Sequence, residues 1–454
     1  MSPKLETAKI SEFFSEITEH EKAGRLDVAY KLASRVAQAT PQLAQAHNMA
    51  GLLAFHSADY EQALEWLHKA IALEPNTAAY PRNAGLVYHA LYQPEAALAQ
   101  AQSAIDLAPE DASLYFNKAL ILYDCREIDA GLETVEQALA HAPNYADAQF
   151  LKAELQLLAG RFAEGWESYE GRFATEQGKN MLPATDKPQW DGRKLPAGRL
   201  LLVADQGFGD CIQFARYIPW VAARAPAPIL AASDELLPLL GQIKGLGRTV
   251  RSWNDIGEYS AYITLSGLPR LAETRLETIP APVPYLRADR QKLAFWRNKL
   301  DVLAPAGAKR IGLVWAGRPT HAKDKRRSVK LAQFAPLLAR EDLVFISLQK
   351  GPRAEDVGDI FTAAPFVNLG PSINDFNDTL AILQALDHLV SVDTSVAHLA
   401  GAAGVPTSLL LPYAPDWRWL LNRDDSPWYP TMRLCRQHRP GDWREVMQHL
   451  ADTL

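Results

Sequence analysis

Pro41, Pro75, Pro109 and Pro143 stand 34 residues apart, and this interval constrains the first third of the chain more than any other feature. Between the prolines, small residues return at fixed offsets: Gly51, Gly85 and Ala119, then Ala63, Ala97 and Gly131, then Ala70, Ala104 and Ala138. Small side chains at constant spacing let two antiparallel helices approach closely. A proline cannot continue a helix, so each one ends a second helix and opens the turn to the next pair. Met49, Leu52, Leu53, Leu67 and Ile71 supply the apolar face of one pair, and Leu114, Leu120, Leu122 and Leu139 that of another. Such units bury their faces by stacking on neighbours, which predicts a curved solenoid with a concave face.

The period and its small residues resemble the tetratricopeptide repeat. Three repeats span about 44–145, a degenerate one ends at Pro41, and a further pair starts near Ala146 and runs through Leu158, Gly160 and Phe162 to Phe173. The array is placed at residues 1–175. Its concave face suits capture of a substrate or partner; packing on the rest of the chain or homodimerisation is the plainer use. Tyr80, Tyr115 and Tyr123 fit either a peptide groove or the helix core. His47, His56, His68 and His89 lack ligand spacing and read as packing or surface residues.

Charge divides the 454 residues unevenly. Residues 1–187 hold 26 acidic and 15 basic side chains, whereas 188–454 hold 27 acidic and 32 basic. The basic half suits an anionic ligand. Its one dense cluster, Lys323, Lys325, Arg326 and Arg327, is too small a footprint for nucleic acid, and none is expected as a partner. Cys125, Cys211 and Cys435 lie too far apart in sequence for a disulfide framework or a close-spaced thiolate metal motif. The opening MSPKLETAKI lacks a basic-then-apolar leader, and no apolar run approaches the roughly 20 residues of a membrane helix. A cytoplasmic chain with no integral membrane segment is expected, with peripheral membrane contact left open.

Beyond a breaker-rich linker (Pro183, Pro188, Pro196, Gly198) the pattern changes. Leu200 to Ala204 form a continuous apolar run, the mark of a buried parallel strand. Further strands are predicted at 228–232, 248–252 and 261–265, with a short helix at 234–242 and another at 290–303 ending the first layer. The alternation restarts with strands at 310–315, 343–348, 388–392 and 405–411 and helices at 331–340, 375–387 and 397–403. Two such runs predict two doubly wound α/β domains, 176–305 and 306–435, facing across a cleft. A last helix within 436–454 is free to cross back and brace the first of them.

Three loops carry the candidate chemistry. After the first strand, Gln206, Gly207, Gly209 and Asp210 precede a helix; glycines allow close backbone approach, and the helix start offers unpaired N–H groups. Asp210 reads either as an N-cap or as a cleft carboxylate that accepts a hydroxyl proton, with Asp205 and Gln206 weaker. After the strand at 310–315 come Trp315, Gly317, Arg318 and His321, then Lys323, Lys325, Arg326, Arg327 and Ser328, charges suited to a diphosphate or simply to solvent. After the strand at 388–392, Asp393, Thr394 and Ser395 open a helix as a second anion seat, with His398 one turn on. Gln349 and Lys350 close a strand of the same layer. Asp424 and Asp425 lack the companions of a metal set, and no G-x-S-x-G or Walker sequence occurs.

About 265 C-terminal residues resemble the GT-B glycosyltransferases related to bacterial lipopolysaccharide heptosyltransferases (glycosyltransferase family 9), and more closely a group in which that domain follows tetratricopeptide repeats. The resemblance rests on Gln206-Gly207-Phe208-Gly209-Asp210 with Ile212 to Tyr217, Gly312 to Gly317, Arg327-Ser328, Ser347 to Gly351, Ser391 to Thr394, and Ala397 to Gly401. Pro415-Asp416-Trp417-Arg418-Trp419 and Ser426 to Pro430 fit the fused group. It implies a repeat solenoid followed by a GT-B fold of two Rossmann-like domains. It places Asp210 where the family carries its general base, and Asp393, Thr394 and His398 where the donor diphosphate is held. Arg327 lies near a family lysine that contacts phosphate. The activity implied is transfer, without metal or cofactor, from a nucleotide-sugar co-substrate, with inversion of configuration as the outcome the resemblance implies. Arg318-Pro319-Thr320-His321 departs from the family's small-residue loop, so the donor need not be ADP-heptose. Fusions of repeats to other GT-B enzymes glycosylate proteins, flagellin among them, which implies a protein acceptor held by the array. The alternatives are a lipopolysaccharide or other surface-glycan acceptor with the repeats used for assembly, and a scaffold without catalysis.

Overall fold

The computed structural model describes residues 3–251, 256–280, 282–321, 323–360 and 362–454. The chain divides into two compact units, Met1–Leu155 and Gln156–Leu454.

The first unit is a helical solenoid of tetratricopeptide type. Its helices run in pairs: Pro3–Lys22 with Leu26–Ala39, Ala44–His56 with Tyr60–Leu73, Ala79–Ala90 with Pro94–Leu107, and Ala112–Asp124 with Ile128–His141. The helix Ala146–Leu158 follows. Pro41, Pro75, Pro109 and Pro143 each sit in the turn between one pair and the next. The small residues do what their spacing predicts. A Cβ on Gly51 would lie 2.7 Å from Leu67 Cγ, and Ala63, Ala70, Ala97, Ala104, Ala119 and Ala138 are fully buried. Within the pairs a second register appears: the backbone turns left-handed at Gly24, Ala58, Tyr92 and Arg126, again 34 residues apart.

Contacts settle the ambiguous aromatic and histidine residues. Tyr80 and Tyr123 are buried in the helix core, while Tyr115 donates to the Pro109 carbonyl at 2.9 Å and stacks on His141. His47 stacks on Trp66, His68 meets the Tyr88 hydroxyl, and His56 and His89 face Glu21 and Asp124. The groove reading gives way to core packing for Tyr80 and Tyr123, whereas Tyr115 remains partly exposed.

The second unit opens with the helix Phe162–Tyr169, whose Trp166 donates to the Thr274 carbonyl at 3.1 Å and meets Trp417 edge-on at 5.2 Å. Two parallel sheets follow. The first comprises β1 (Leu200–Val203), β2 (Ile229–Ala231), β3 (Arg248–Val250) and β4 (Ala261–Thr264), in the order β3-β2-β1-β4. The second comprises β5 (Lys309–Val314), β6 (Leu343–Ser347), β7 (Phe366–Asn368), β8 (His388–Val392), β9 (Thr407–Leu411) and β10 (Met432–Arg436), in the order β10-β9-β8-β5-β6-β7. The central strands β1, β6 and β9 are buried throughout, which is why they read as unbroken apolar runs. In the second sheet the chain moves outward through β6 and β7, then returns to pair β8 on the other side of β5. The carboxyl ends of β5 and β8 therefore flank a topological switch point, where open α/β sheets leave a crevice.

Several expectations need correction. The helix at 331–340 is split into a 3-10 turn, Leu331–Phe334, and the short Ala335–Leu338, because Pro336 has no N–H to continue the ladder. The helix at 234–242 shrinks to Leu237–Leu240, and residue 252 of the strand at 248–252 lies outside the described residues. The helix Arg290–Leu303 does not close the first layer: Lys292 and Trp296 bind Asp378, docking it on the helix Phe376–Leu383 of the second. The closing helix, Arg444–Thr453, does not cross back either. Its Val446, Met447 and Leu450 join Phe334, Leu337 and Leu338 in the core of the six-stranded sheet. β7 and β10 went unforeseen, β7 because none of its three edge residues is fully buried and β10 because Arg433 and Arg436 interrupt an edge strand. Among the described residues, no helix is long and apolar enough to cross a membrane.

Candidate functional site

The loop after β1 meets the loop after β8. The helix Phe208–Phe214, with Gly207 as its N-cap, packs on the helix Ser395–Ala403. Contact is close enough that a Cβ on Gly209 would fall 2.7 Å from His398 Cδ2. Asp210 sits three residues inside its helix, so the capping expectation for it is corrected. Its Oδ1 instead accepts a charge-assisted hydrogen bond from Arg418 Nη2. The Asp210 side chain is 28% exposed and that of Arg418 only 7%.

Arg418 is the hub of this crevice. Its Nη1 donates to Asp416 Oδ1 at 2.8 Å and its Nε to Gln213 Oε1 at 2.7 Å. The guanidinium also lies 4.2 Å from the centroid of the Trp417 ring. Burial opposes its charge, but Asp416 and Asp210 more than compensate and hold its pKa up. Burial likewise works against the Asp416 carboxylate, yet Arg418 and then Lys323 keep its pKa below the ordinary range.

Asp393 follows β8 and accepts from Trp419 Nε1 at 2.9 Å. Burial, reinforced by the charge of Asp416, pushes its pKa above the carboxylate range. His398 shares Nδ1 with the Tyr429 hydroxyl at 2.9 Å, while its Nε2 stands 3.7 Å from Asp393 Oδ1. Burial, then the charge of Arg418, lowers its pKa from 6.5 to about 3, so the ring is neutral at pH 7. Its contacts are those of a buried packing histidine. Thr394 is the N-cap of the nine-residue helix Ser395–Ala403, and both Thr394 and Ser395 remain partly exposed at its start.

The loop after β5 is held by polar contacts. Trp315 is fully buried; its indole donates to Asp356 at 3.1 Å. Gln349, 3% exposed, accepts from the backbone N–H groups of Trp315 and Ala316 through Oε1, each at 3.0 Å. Both therefore shape the strand ends from beneath. Lys350 donates to the Ile373 carbonyl. Gly317 donates to Ser328 Oγ at 3.0 Å, and Ser328 donates in turn to Asp324 Oδ1. Arg327 Nε lies 3.6 Å from that carboxylate oxygen; it is buried and has no hydrogen-bond partner among the described residues. Partial burial, then the charges of Arg327 and Lys323, lower the pKa of His321, while Asp210 acts on it in the opposite direction.

Beneath the β1 loop, the buried Asp205 accepts from the Ser266 backbone N–H at 3.2 Å and stands 3.8 Å from Arg172. Gln206 exchanges hydrogen bonds with the Tyr169 hydroxyl. Asp205 and Gln206 thus fix the loop. The structure brings together Gly209, Asp210, Asp393 and His398, and the charges of Lys323 and Arg327 act on the same crevice. Sequence reasoning left Arg418 and Asp416 out of the site. The acidic and basic residues of Pro415-Asp416-Trp417-Arg418-Trp419, set among bulky aromatics, were the available signal. Among the described residues, no group of three His, Cys, Asp or Glu side chains could hold a metal ion. The crevice thus gathers cations and the starts of two helices around the Asp210 carboxylate.

No family model matches the chain. It is 27% identical over 335 residues to Protein FlbA of Caulobacter vibrioides, a match that covers 66% of this chain and 54% of that protein. The chain thus spans about half the length of the curated relative it matches. Among solved structures, MamA is 19% identical with a TM-score of 0.33, over 38% of this chain and 97% of MamA. YrrB, described as a TPR protein with an unusual peptide-binding site, is 19% identical with a TM-score of 0.30, over 37% of this chain and 90% of YrrB.

Proposed function

We infer that the second unit is a GT-B glycosyltransferase of two Rossmann-like domains, with the first sheet on the acceptor side and the six-stranded sheet on the donor side. The observation that carries this reading is the convergence of Asp210, from the loop after β1, with the Asp393 turn at the switch point of the second sheet. In this reading Lys323, Arg327, Thr394 and Ser395 hold the diphosphate of a nucleotide sugar. Asp210 accepts the acceptor hydroxyl's proton through Oδ2, and the fixed cations stabilise the departing nucleotide.

A protein acceptor recruited by the repeats, flagellin or another surface protein, is one form of this proposal. A second form, with a lipopolysaccharide or other surface-glycan acceptor and the repeats used for assembly, is favoured by the burial of Tyr80 and Tyr123, which removes two aromatics from a capture groove. A scaffold without catalysis is favoured by the ion pair that already engages Asp210. The test is nucleotide release from a panel of nucleotide sugars by the full chain, with glycan and protein acceptors in parallel. Turnover that Asp210→Asn abolishes, with donor binding kept, supports the transferase. Full turnover in that variant removes the base assignment, and no saturable binding of any donor favours the scaffold.

A further inference from the structure

Arg418 reaches across 208 residues of sequence to Asp210, and three acceptors fix its fork at once. Nη2 is on Asp210, Nη1 on Asp416 and Nε on Gln213. Asp210 and Gln213 lie on one face of the helix Phe208–Phe214, three residues apart, so the guanidinium grips that face with two N–H groups. Asp416 and the Trp417 ring anchor it from the segment after β9. A planar guanidinium held at this many points has little freedom left, and neither does a carboxylate oxygen bound to it. Asp210 Oδ2 receives no hydrogen bond from any described residue.

We propose that Arg418 is a positioning residue for the transfer reaction: it fixes the Asp210 carboxylate by Oδ1 and leaves Oδ2 for the acceptor hydroxyl. The role rests on the transferase reading above. A cation on Oδ1 is compatible with the base role because the hydroxyl becomes strongly acidic only as its oxygen bonds to the sugar. The proton then passes late, from an oxonium-like oxygen to Oδ2, while the donor's C–O bond breaks and its electron pair leaves with the nucleotide. What the reaction requires of Asp210 is position, and misplacing a reacting group by about 1 Å can cost on the order of 10²-fold.

The experiment uses the full chain and a panel of UDP-, ADP-, GDP- and dTDP-sugars, with nucleotide release as the readout. Arg418→Ala is expected to lower kcat by about 10²-fold while leaving the donor KM within about twofold, since Asp210 is the only one of its partners assigned to the reacting atoms. Added guanidinium ion restores part of the rate in Arg418→Ala and none in Asp210→Asn. The double variant is no slower than Asp210→Asn alone, because both changes remove one function. If Arg418→Ala does not fold, Asp416→Asn takes its place: it removes one anchor of the guanidinium, and a lowered kcat at constant KM is expected. Full kcat in the folded variant, a loss confined to donor KM, or additive losses would overturn the role while the transferase reading stands. A wild-type chain that turns over no donor overturns both.

Discussion

Gly209 lies so close to His398 that the two helices they belong to could not pack as they do around any larger residue. A Cβ at position 209 would stand 2.7 Å from His398 Cδ2 and 3.3 Å from Nε2. The imidazole cannot yield easily, because Nδ1 is tied to Tyr429 and the ring packs against Trp419. Gly209→Ala is therefore expected to destabilise the second unit by about 1–3 kcal/mol, the usual penalty of overpacking. Thermal unfolding compared with that of Gly207→Ala checks this. The Cβ at position 207 would meet nothing nearer than Asp210 Oδ2 at 3.0 Å, so an equal loss in both variants would contradict the packing argument.

The solenoid carries strain of the opposite kind. Ala58 holds φ of 60° in the turn between its helices, a conformation costing an L-residue roughly 1–2 kcal/mol. Ala58→Gly should recover most of this, less the extra chain entropy of glycine, for a net gain of about 0.5–1 kcal/mol. Gly24→Ala, at φ of 72° in the equivalent turn, should lose a similar amount. Urea midpoints of the two variants against the parent chain give the signs directly; a loss in Ala58→Gly would count against strain at that turn.

These two cases show why part of the architecture was legible and part was not. The 34-residue interval is written in prolines and small residues because helix ends and close helix contacts exclude most alternatives. The left-handed turn register stayed hidden because Ala58, Tyr92 and Arg126 occupy it where glycine would have announced it. Strands β1, β5, β6, β8 and β9 were readable from buried apolar runs, whereas β10 alternates charge with burial at a sheet edge. In the crevice, the loops at 205–210 and 393–395 were found because glycines, hydroxyls and acids follow strands. Trp315 and Gln349 were assigned to a ligand in the same way, although one fills the core and the other pins strand ends. Loop position alone does not separate a residue that faces a crevice from one that supports it. Arg418 escaped because its importance comes from partners more than 200 residues away in sequence.

Acid should act on the second unit through His398. Its pKa falls from 6.5 to about 3 on folding because burial disfavours the charged ring. The neutral ring's contribution is fully present above pH 6.5 and is lost as pH falls from there toward 3, with a slope of up to about 1.4 kcal/mol per pH unit for one proton. His388, lowered to about 4 by burial and then Lys309, acts in the same direction. Asp393, raised by burial, acts in the opposite sense: its contribution is lost as pH rises above its ordinary 3.8. The expected result is that His398→Gln is less stable than the parent at pH 7.5 but loses less on going to pH 5. Urea midpoints at the two pH values decide it, and parallel losses in both chains would rule out His398 as a source.

Gly317 offers a test of the proposed anion seat that deletes no charged side chain. A Cβ there would stand 2.5 Å from Asp324 Oδ1 and 2.6 Å from Arg327 Nη2, so Gly317→Ala must push both away from the strand end. Arg327 has a buried Nε without a hydrogen-bond partner among the described residues, and leaving such a donor unpaired costs about 1–3 kcal/mol. An incoming phosphate oxygen would remove that cost, which makes binding sensitive to where the guanidinium sits. With UDP and ADP as probes, calorimetry should show affinity weakened by about tenfold or more in Gly317→Ala, the equivalent of one displaced charge-assisted hydrogen bond. Raising salt from 50 to 300 mM should weaken binding in the parent more than in the variant, because the parent has the better placed cation to screen. Equal affinity in the two chains, with both folded, would place the diphosphate away from Arg327.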